Sequence, residues 1–429
     1  MKIIFKLFLV ISVLGFAQDR KCGTESYMQE YLKDPKNKID HYKLQTKFKE
    51  RLLKNTREGK TEDKLAEPIK IPVAVHFPMF TSPTENDKKC IAGLVQSQID
   101  ILNADYNAEN KDLSKWSVDA RMYPNTLNGK MNVQFVLATK NHPKESGLVD
   151  GVPAITFGTD FLNNSDSDPT WKGYMNLVVR QIPEKDNSQI LGYSVLGGRP
   201  SQGHTVVINT FCFGSGLGCP GYVPVKNNDL GRTLTHELGH FFNLRHTFGD
   251  GKGCATSDDG IADTPKVGYA SFGCLKPGSV PGCEPNEKAL TMNYMDYLDD
   301  PCMYMFTQQQ AAAMKTYYDL ISSQFVKDVF DKGSVVVTDP KPKKDFNIYP
   351  VPFNDILNIT FEKAPSLYTL QVVDRIGRIV YEINDTQVEI EEKHDLSFLD
   401  SGVYYNQKIQ MPIFSNSNAH FFTKLQKAL

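Results

Sequence analysis

The chain has no excess of charge of either sign. Its 48 Lys and Arg residues are matched by 50 Asp and Glu, a formal net charge of -2 at pH 7 over 429 residues. Such a balance gives no reason to expect nucleic acid or an anionic membrane as partner. Long apolar runs are also missing: beyond residue 17 nothing approaches the ~20 apolar residues of a membrane-spanning helix. There is no long internal repeat. Histidine is scarce, with nine in the whole chain, so a cluster of them is informative.

The first residues differ from the rest. A short basic start (Met1 to Lys6) leads into the apolar run Leu7 to Phe16, and Ala17 offers a small residue for cleavage. This pattern predicts a signal peptide over 1–17, removed on export. An exported chain meets an oxidising compartment, so its eight cysteines (22, 90, 212, 219, 254, 274, 283 and 302) are expected to form disulfides. Residues 18–65 are charged and carry no strand signal. They read as a pro-segment or a flexible N-terminal extension.

Periodicity then organises residues 66–332. Ile69–Phe77 is β-branched enough for a strand. Ile91, Val95, Ile99, Leu102 and Tyr106 recur at helical spacing. Met131–Leu137, Met175–Ile182, Leu191–Val195 and His204–Thr210 read as strands, and 229–242 as a helix. Thr307 opens a last helix, with Gln310 completing a capping-box pattern. The sum is an α+β domain, a mixed sheet backed by helices. Residues 250–300 are rich in Gly, Pro, Asp and Cys and predict a loop-rich region stapled by disulfides. Residues 333–345 have linker composition. Short alternating strands over 346–429 predict a small β-sandwich.

The chemistry concentrates in one segment. His236 and His240 are four apart, so on a helix both imidazoles share a face, one turn apart. Two such ligands suit one metal, and Glu237 beside them can hold a metal-bound water. A catalytic zinc takes three protein ligands and keeps a position for water. His246 supplies the third if the chain reverses after the helix. Asn243 sits where that reversal is needed, and Asn tolerates left-handed backbone better than most residues. Chance assembly of this spacing is expected on the order of once in a few thousand chains of this length.

His236-Glu-x-x-His240 with His246 six residues on, then a methionine-bearing turn, resembles the signature of metzincin proteases. His246-Thr-Phe-Gly-Asp, Asp259-Gly-Ile-Ala-Asp263-Thr-Pro and Tyr294-Met295-Asp-Tyr297-Leu-Asp-Asp300-Pro-Cys302 resemble its pappalysin group, ulilysin-like bacterial enzymes among them. The resemblance covers roughly 66–325. It implies a two-lobed metzincin fold, a secreted zinc endopeptidase, Met295 beneath the zinc, and Tyr297 as a transition-state stabiliser. Met292-Asn-Tyr294 has the same form three residues earlier, but the downstream run aligns on Met295. Most metzincins carry Gly where this chain has Asn243. The resemblance also implies bridges Cys254–Cys283 and Cys274–Cys302, where spacing alone leaves three connectivities open. It implies calcium near Asp258, Asp259 and Asp263; a solvated acidic turn is the alternative. Asp300 is expected in the pocket for the residue after the scissile bond, selecting Arg.

Arg20-Lys-Cys22-Gly resembles the latency motif of pro-metzincins, in which a pro-segment thiolate fills the open zinc position. A structural Cys22, bridged to Cys90, is the alternative. Cys212 and Cys219 are close enough for a local bridge. Residues 346–429 resemble C-terminal sorting domains of type IX secretion, on Asn347-Ile-Tyr-Pro, Leu370 to Val380, Leu399-Asp-Ser-Gly-Val-Tyr and the basic tail. The implied partners are peptide substrates and the outer-membrane secretion machinery. The implied location is secreted or cell-surface, reached through the periplasm of a Gram-negative bacterium. The rival, a surface adhesin on an inactive protease scaffold, is opposed by the intact Glu237.

Overall fold

The computed structural model describes residues 21–58, 68–158, 166–184 and 189–330, and in the C-terminal part 346–349, 354–361, 368–373, 379–385, 389–400, 402–410 and 423–427. The signal peptide expected over 1–17 and the linker expected over 333–345 lie outside them. The chain divides into two compact units, Met1–Lys332 and Gly333–Leu429.

The first unit opens with β1 (Lys21–Cys22), an edge strand of the main sheet, followed by α1 (Thr24–Tyr31) and α2 (Pro35–Arg57). For residues 18–65, expected as a pro-segment or a flexible extension without strand signal, the described part is a two-residue strand followed by two docked helices. Asp34 caps α2 by accepting from Lys36 N and Asn37 N, with Pro35 preset for the first turn. His41, Leu44, Phe48 and Leu52 fall at helical spacing on its inner side, and Phe48, with Leu44 and Leu52 beside it, joins the main core. Polar composition hid this stripe.

The elements that follow are β2 (Ile69–Phe77), α3 (Glu85–Tyr106), α4 (Trp116–Asp119), β3 (Val133–Leu137), β4 (Ile155–Phe157), β5 (Met175–Val179), β6 (Ile190–Ser194) and β7 (Thr205–Ile208). Then come α5 (Arg232–Phe241), β8 (Phe272–Gly273), β9 (Tyr297–Leu298) and α6 (Gln308–Ile321). Thr84 opens α3 and Thr307 opens α6, each with a capping box. The strand order is β1-β6-β7-β5-β2-β3, with β4 also on β2. β6 runs antiparallel to β7, whereas β7, β5, β2, β3 and β4 are mutually parallel. β2 and β5 are buried along most of their length and read as apolar runs for that reason. One core fills the space between this sheet and α3, α5 and α6, built around Val75, Ile99, Leu177, Leu238 and Met314. The fold is α+β with a mixed sheet, as the motifs implied.

Three bridges staple this unit: Cys90–Cys219, Cys254–Cys283 and Cys274–Cys302. The local Cys212–Cys219 bridge does not form, and neither does Cys22–Cys90. Cys219 and Tyr222 exchange backbone hydrogen bonds of 2.9 and 2.7 Å in a tight turn, and Cys219 is spent on Cys90 of α3. Cys212 forms no disulfide and is fully buried in the sheet core.

The second unit has two antiparallel sheets. One orders β10 (Phe346–Tyr349), β11 (Ile356–Phe361) and β14 (Glu391–Asp395). The other orders β13 (Ile379–Asp385), β12 (Tyr368–Val373), β15 (Gly402–Gln410) and β16 (Thr423–Lys427). Leu357 and Ile359 on β11 and Leu370 and Val372 on β12 are fully buried at alternating positions, as strands with one core face require.

Candidate active site

Helix α5 is buried along its whole length and carries His236, Glu237 and His240. Its start lacks a side-chain cap of its own, because Gly231 stands there in left-handed backbone. Asp300 serves instead: one carboxylate oxygen accepts from Leu230 N at 3.0 Å and Arg232 N at 3.1 Å. A negative group at a helix N-terminus meets unpaired N–H groups and the positive end of the dipole. After α5 the chain turns back through Asn243 (φ 73°) and returns His246.

The three imidazoles converge. His240 Nε2 lies 3.2 Å from His236 Nε2 and 3.1 Å from His246 Nε2. His236 Nδ1 donates to the Tyr294 carbonyl at 2.6 Å, and His240 Nδ1 to the Leu244 carbonyl at 2.8 Å. Those bonds place the protons on Nδ1 and leave the Nε2 lone pairs aimed at one point. Lone pairs that close repel unless a cation lies between them. Two nitrogens bound to a tetrahedral zinc at about 2.0–2.1 Å stand about 3.3 Å apart, so this donor set fits zinc. Burial holds His240 and His246 below the usual imidazole range, in the neutral form a ligand needs.

Cys22 joins the same group: a ligand atom from each of Cys22, His236, His240 and His246 lies within 4.8 Å of the others. Its thiol donates to Glu237 Oε2 at 3.4 Å, and Thr24 Oγ1 donates to the same oxygen at 3.1 Å. Glu25 places a carboxylate oxygen 3.5 Å from His246 Nδ1. Thr24 and Glu25 escaped the sequence reading, although both adjoin Cys22. β1 holds these residues by parallel pairing with β6, Cys22 opposite Gly192. Gly192 is glycine for a reason of space: a Cβ there would come within 2.9 Å of the Glu237 side chain.

Met295 is fully buried, and its sulfur would lie 2.5 Å from any Cβ at Gly239. The small residue in α5 thus admits the methionine under the histidines. Met292 packs elsewhere, with Trp116, Tyr123 and Tyr304. The Tyr297 ring stands 4.9 Å from that of His246 and 5.7 Å from that of His236. Burial first, then Cys22 and Glu237, raise its hydroxyl far above the ordinary phenol range, so it remains a donor.

The three aspartates proposed for calcium line a cleft of about 630 Å³, but their oxygens do not converge. Asp263 accepts from Thr307 Oγ1 and Gln309 N, Asp259 from Ile261 N and Thr264 Oγ1, and Asp258 from Gly260 N while pairing with Lys266. Asp263 thus anchors α6, and the set as arranged does not fit a calcium ion, which takes six to eight oxygens at one point.

Comparisons with known proteins agree with this geometry. The family described as pregnancy-associated plasma protein-A matches residues 220–319, and the family of secretion system C-terminal sorting domains matches 347–411. An extracellular metalloprotease of Colletotrichum graminicola is 44% identical over 95 residues, 22% of this chain and 32% of that protein. The chain thus spans about a third of that relative's length. A second Colletotrichum graminicola extracellular metalloprotease is 26% identical over 318 residues, 72% of this chain and 95% of its own. A mutant of Tannerella forsythia promirolysin superposes with a TM-score of 0.51 at 25% identity, over 70% of this chain and 94% of its own. With a zinc-shaped histidine triad over a buried methionine, and with these matches, the catalytic unit is similar to pappalysin-type metzincins and the C-terminal part to secretion system sorting domains.

Proposed function

We propose that the protein is a secreted zinc endopeptidase made as a latent precursor. The observation that carries this reading is the convergence of three Nε2 atoms beside the buried Glu237. Zinc bound there would supply a Lewis acid that polarises the scissile carbonyl and acidifies water. Glu237 takes a proton from the attacking water and returns it to the leaving amine. The Tyr297 hydroxyl donates to the oxyanion as charge develops. Digesting a proteome-derived peptide library, with the N-terminal segment removed, tests the reading. Cleavage abolished by a chelator is expected, and chelator-resistant cleavage would overturn it.

Latency follows from Cys22 and Thr24, which occupy both the metal-facing space and Glu237. Cys22→Ala is expected to make the precursor active or self-processing as soon as it folds. An unchanged lag before activity would sink the switch.

The resemblance implies a specificity role for Asp300, although its side chain is fully buried and one oxygen bonds the start of α5. A confined carboxylate favours a guanidinium through charge-assisted hydrogen bonds, so cleavage before Arg is the expected preference. Because Asp300 also caps α5, Asp300→Asn is the informative variant: it keeps an acceptor for the helix N–H groups and removes the charge. Its kcat/KM for Arg peptides should fall at least ~10-fold while apolar peptides are spared. A library profile without basic residues after the cut would refute the assignment.

A further inference from the structure

Asn243 has a side chain where the backbone favours none. Its φ of 73° lies in the left-handed region, which glycine enters freely and Asn at some cost. The side chain does not help the turn, whose bonds are main-chain: Asn243 N donates to the His240 carbonyl and Leu244 N to that of Gly239. Its carboxamide is spent on the N-terminal segment. Gln45 Nε2 donates to Asn243 Oδ1 at 2.6 Å, and Asn243 Nδ2 donates back to Gln45 Oε1 at 3.2 Å. The reciprocal pair spans 198 residues of sequence and is part-buried, with Asn243 only 8% exposed.

The rest of α2 follows the same line. Phe48 meets Tyr317 of α6 edge-on, with ring centroids 5.8 Å apart. Asn55 Nδ2 donates to Thr316 Oγ1 at 3.1 Å, and Asp40 lies 3.7 Å from Arg199. Helix α2 therefore holds the catalytic unit through contacts separate from those of Cys22, Thr24 and Glu25.

We infer that Asn243 is a docking residue for the pro-segment, and that α2 is an anchor which stays bound after the chain is cut behind it. The inference rests on the reading of this segment as inhibitory and extends it. A cut between Arg57 and Ile69 severs no contact made by α2. The freed segment then remains as a bound inhibitor until it dissociates, and activation depends on concentration as well as on cleavage.

The test uses the full chain with a site for a sequence-specific protease placed at residues 60–64. After nicking, retention of the fragment is followed by size exclusion, and peptide hydrolysis by serial dilution. The nicked parent should retain its fragment and gain activity only on dilution. Gln45→Ala, a favourable helix residue in an otherwise unchanged helix, should move that dilution midpoint about tenfold higher, as for loss of a part-buried, doubly hydrogen-bonded pair. Adding Asn243→Gly should shift it little further, since the two side chains spend their bonds on each other. A fragment that leaves at once on nicking, or a midpoint unmoved by Gln45→Ala, would overturn the anchor while leaving latency of the intact chain standing. A chain as active before nicking as after it would overturn the inhibitory reading, and the anchor with it.

Discussion

Glu237→Ala is expected to bind zinc normally and to lose roughly a thousandfold in kcat. The size follows from positioned proton transfer, which contributes on the order of a hundredfold to ten-thousandfold. Zinc should stay because the carbonyls of Tyr294 and Leu244 hold His236 and His240, and His246 is stacked on Phe248, all without Glu237. Metal content and turnover are to be measured on the same sample, freed of its N-terminal segment. Turnover within tenfold of the parent would remove Glu237 from the proposed mechanism. Loss of zinc together with activity would show that the side chain supports the site rather than the reaction. In the precursor, the same variant also removes the acceptor for Cys22 and Thr24, so β1 should dock less tightly.

Arg232→Met should destabilise the catalytic unit by about 3–5 kcal/mol, the usual result of removing one member of a buried ion pair. Arg232 opens α5 and is nearly buried, 2.8 Å from fully buried Asp105 of α3 and 3.1 Å from Asp112. Its guanidinium also lies over the Tyr294 ring, 5.2 Å from the centroid, and bonds to the Tyr294 hydroxyl. Methionine fills much of the volume but leaves Asp105 and Asp112 without the guanidinium they share. The melting temperature should fall by roughly 10 °C. Combining it with Asp105→Leu should recover part of the loss, because the stranded charge is then gone. A shift under 2 °C would show that the network contributes little. Zinc affinity should weaken too, since Tyr294 presents the carbonyl that orients His236.

How much of this was legible depended on how far apart the partners lie in sequence. β2 was read to its ends because a fully buried parallel strand is a continuous apolar run. The histidine motif was legible because helical spacing alone puts His236 and His240 on one face. α2 was missed: its apolar positions are scattered among lysines, and what they pack against, Tyr317, comes some 270 residues later in the chain. The Cys212–Cys219 expectation failed in the same way. Nearness in sequence favoured the pair, whereas the fold brings Cys219 to a helix 129 residues upstream. Asp300 was expected in a substrate pocket, whereas the structure shows it bonded to the start of α5, a contact that depends on how the methionine turn meets the helix and that no local pattern encodes.

The placement of the bridges has a consequence for the order in which the molecule matures. Cys254–Cys283 and Cys274–Cys302 close loops spanning 29 and 28 residues, and the two loops interleave. Cys90–Cys219 encloses the rest of α3 and every strand from β3 to β7. Closing it in a disordered chain costs roughly 1 kcal/mol more entropy than either short loop, so it gains most from a sheet already assembled. Oxidation of a nascent chain should therefore proceed outward from the loop-rich lobe, and the long bridge should seal a sheet that non-local pairing has already slowly built.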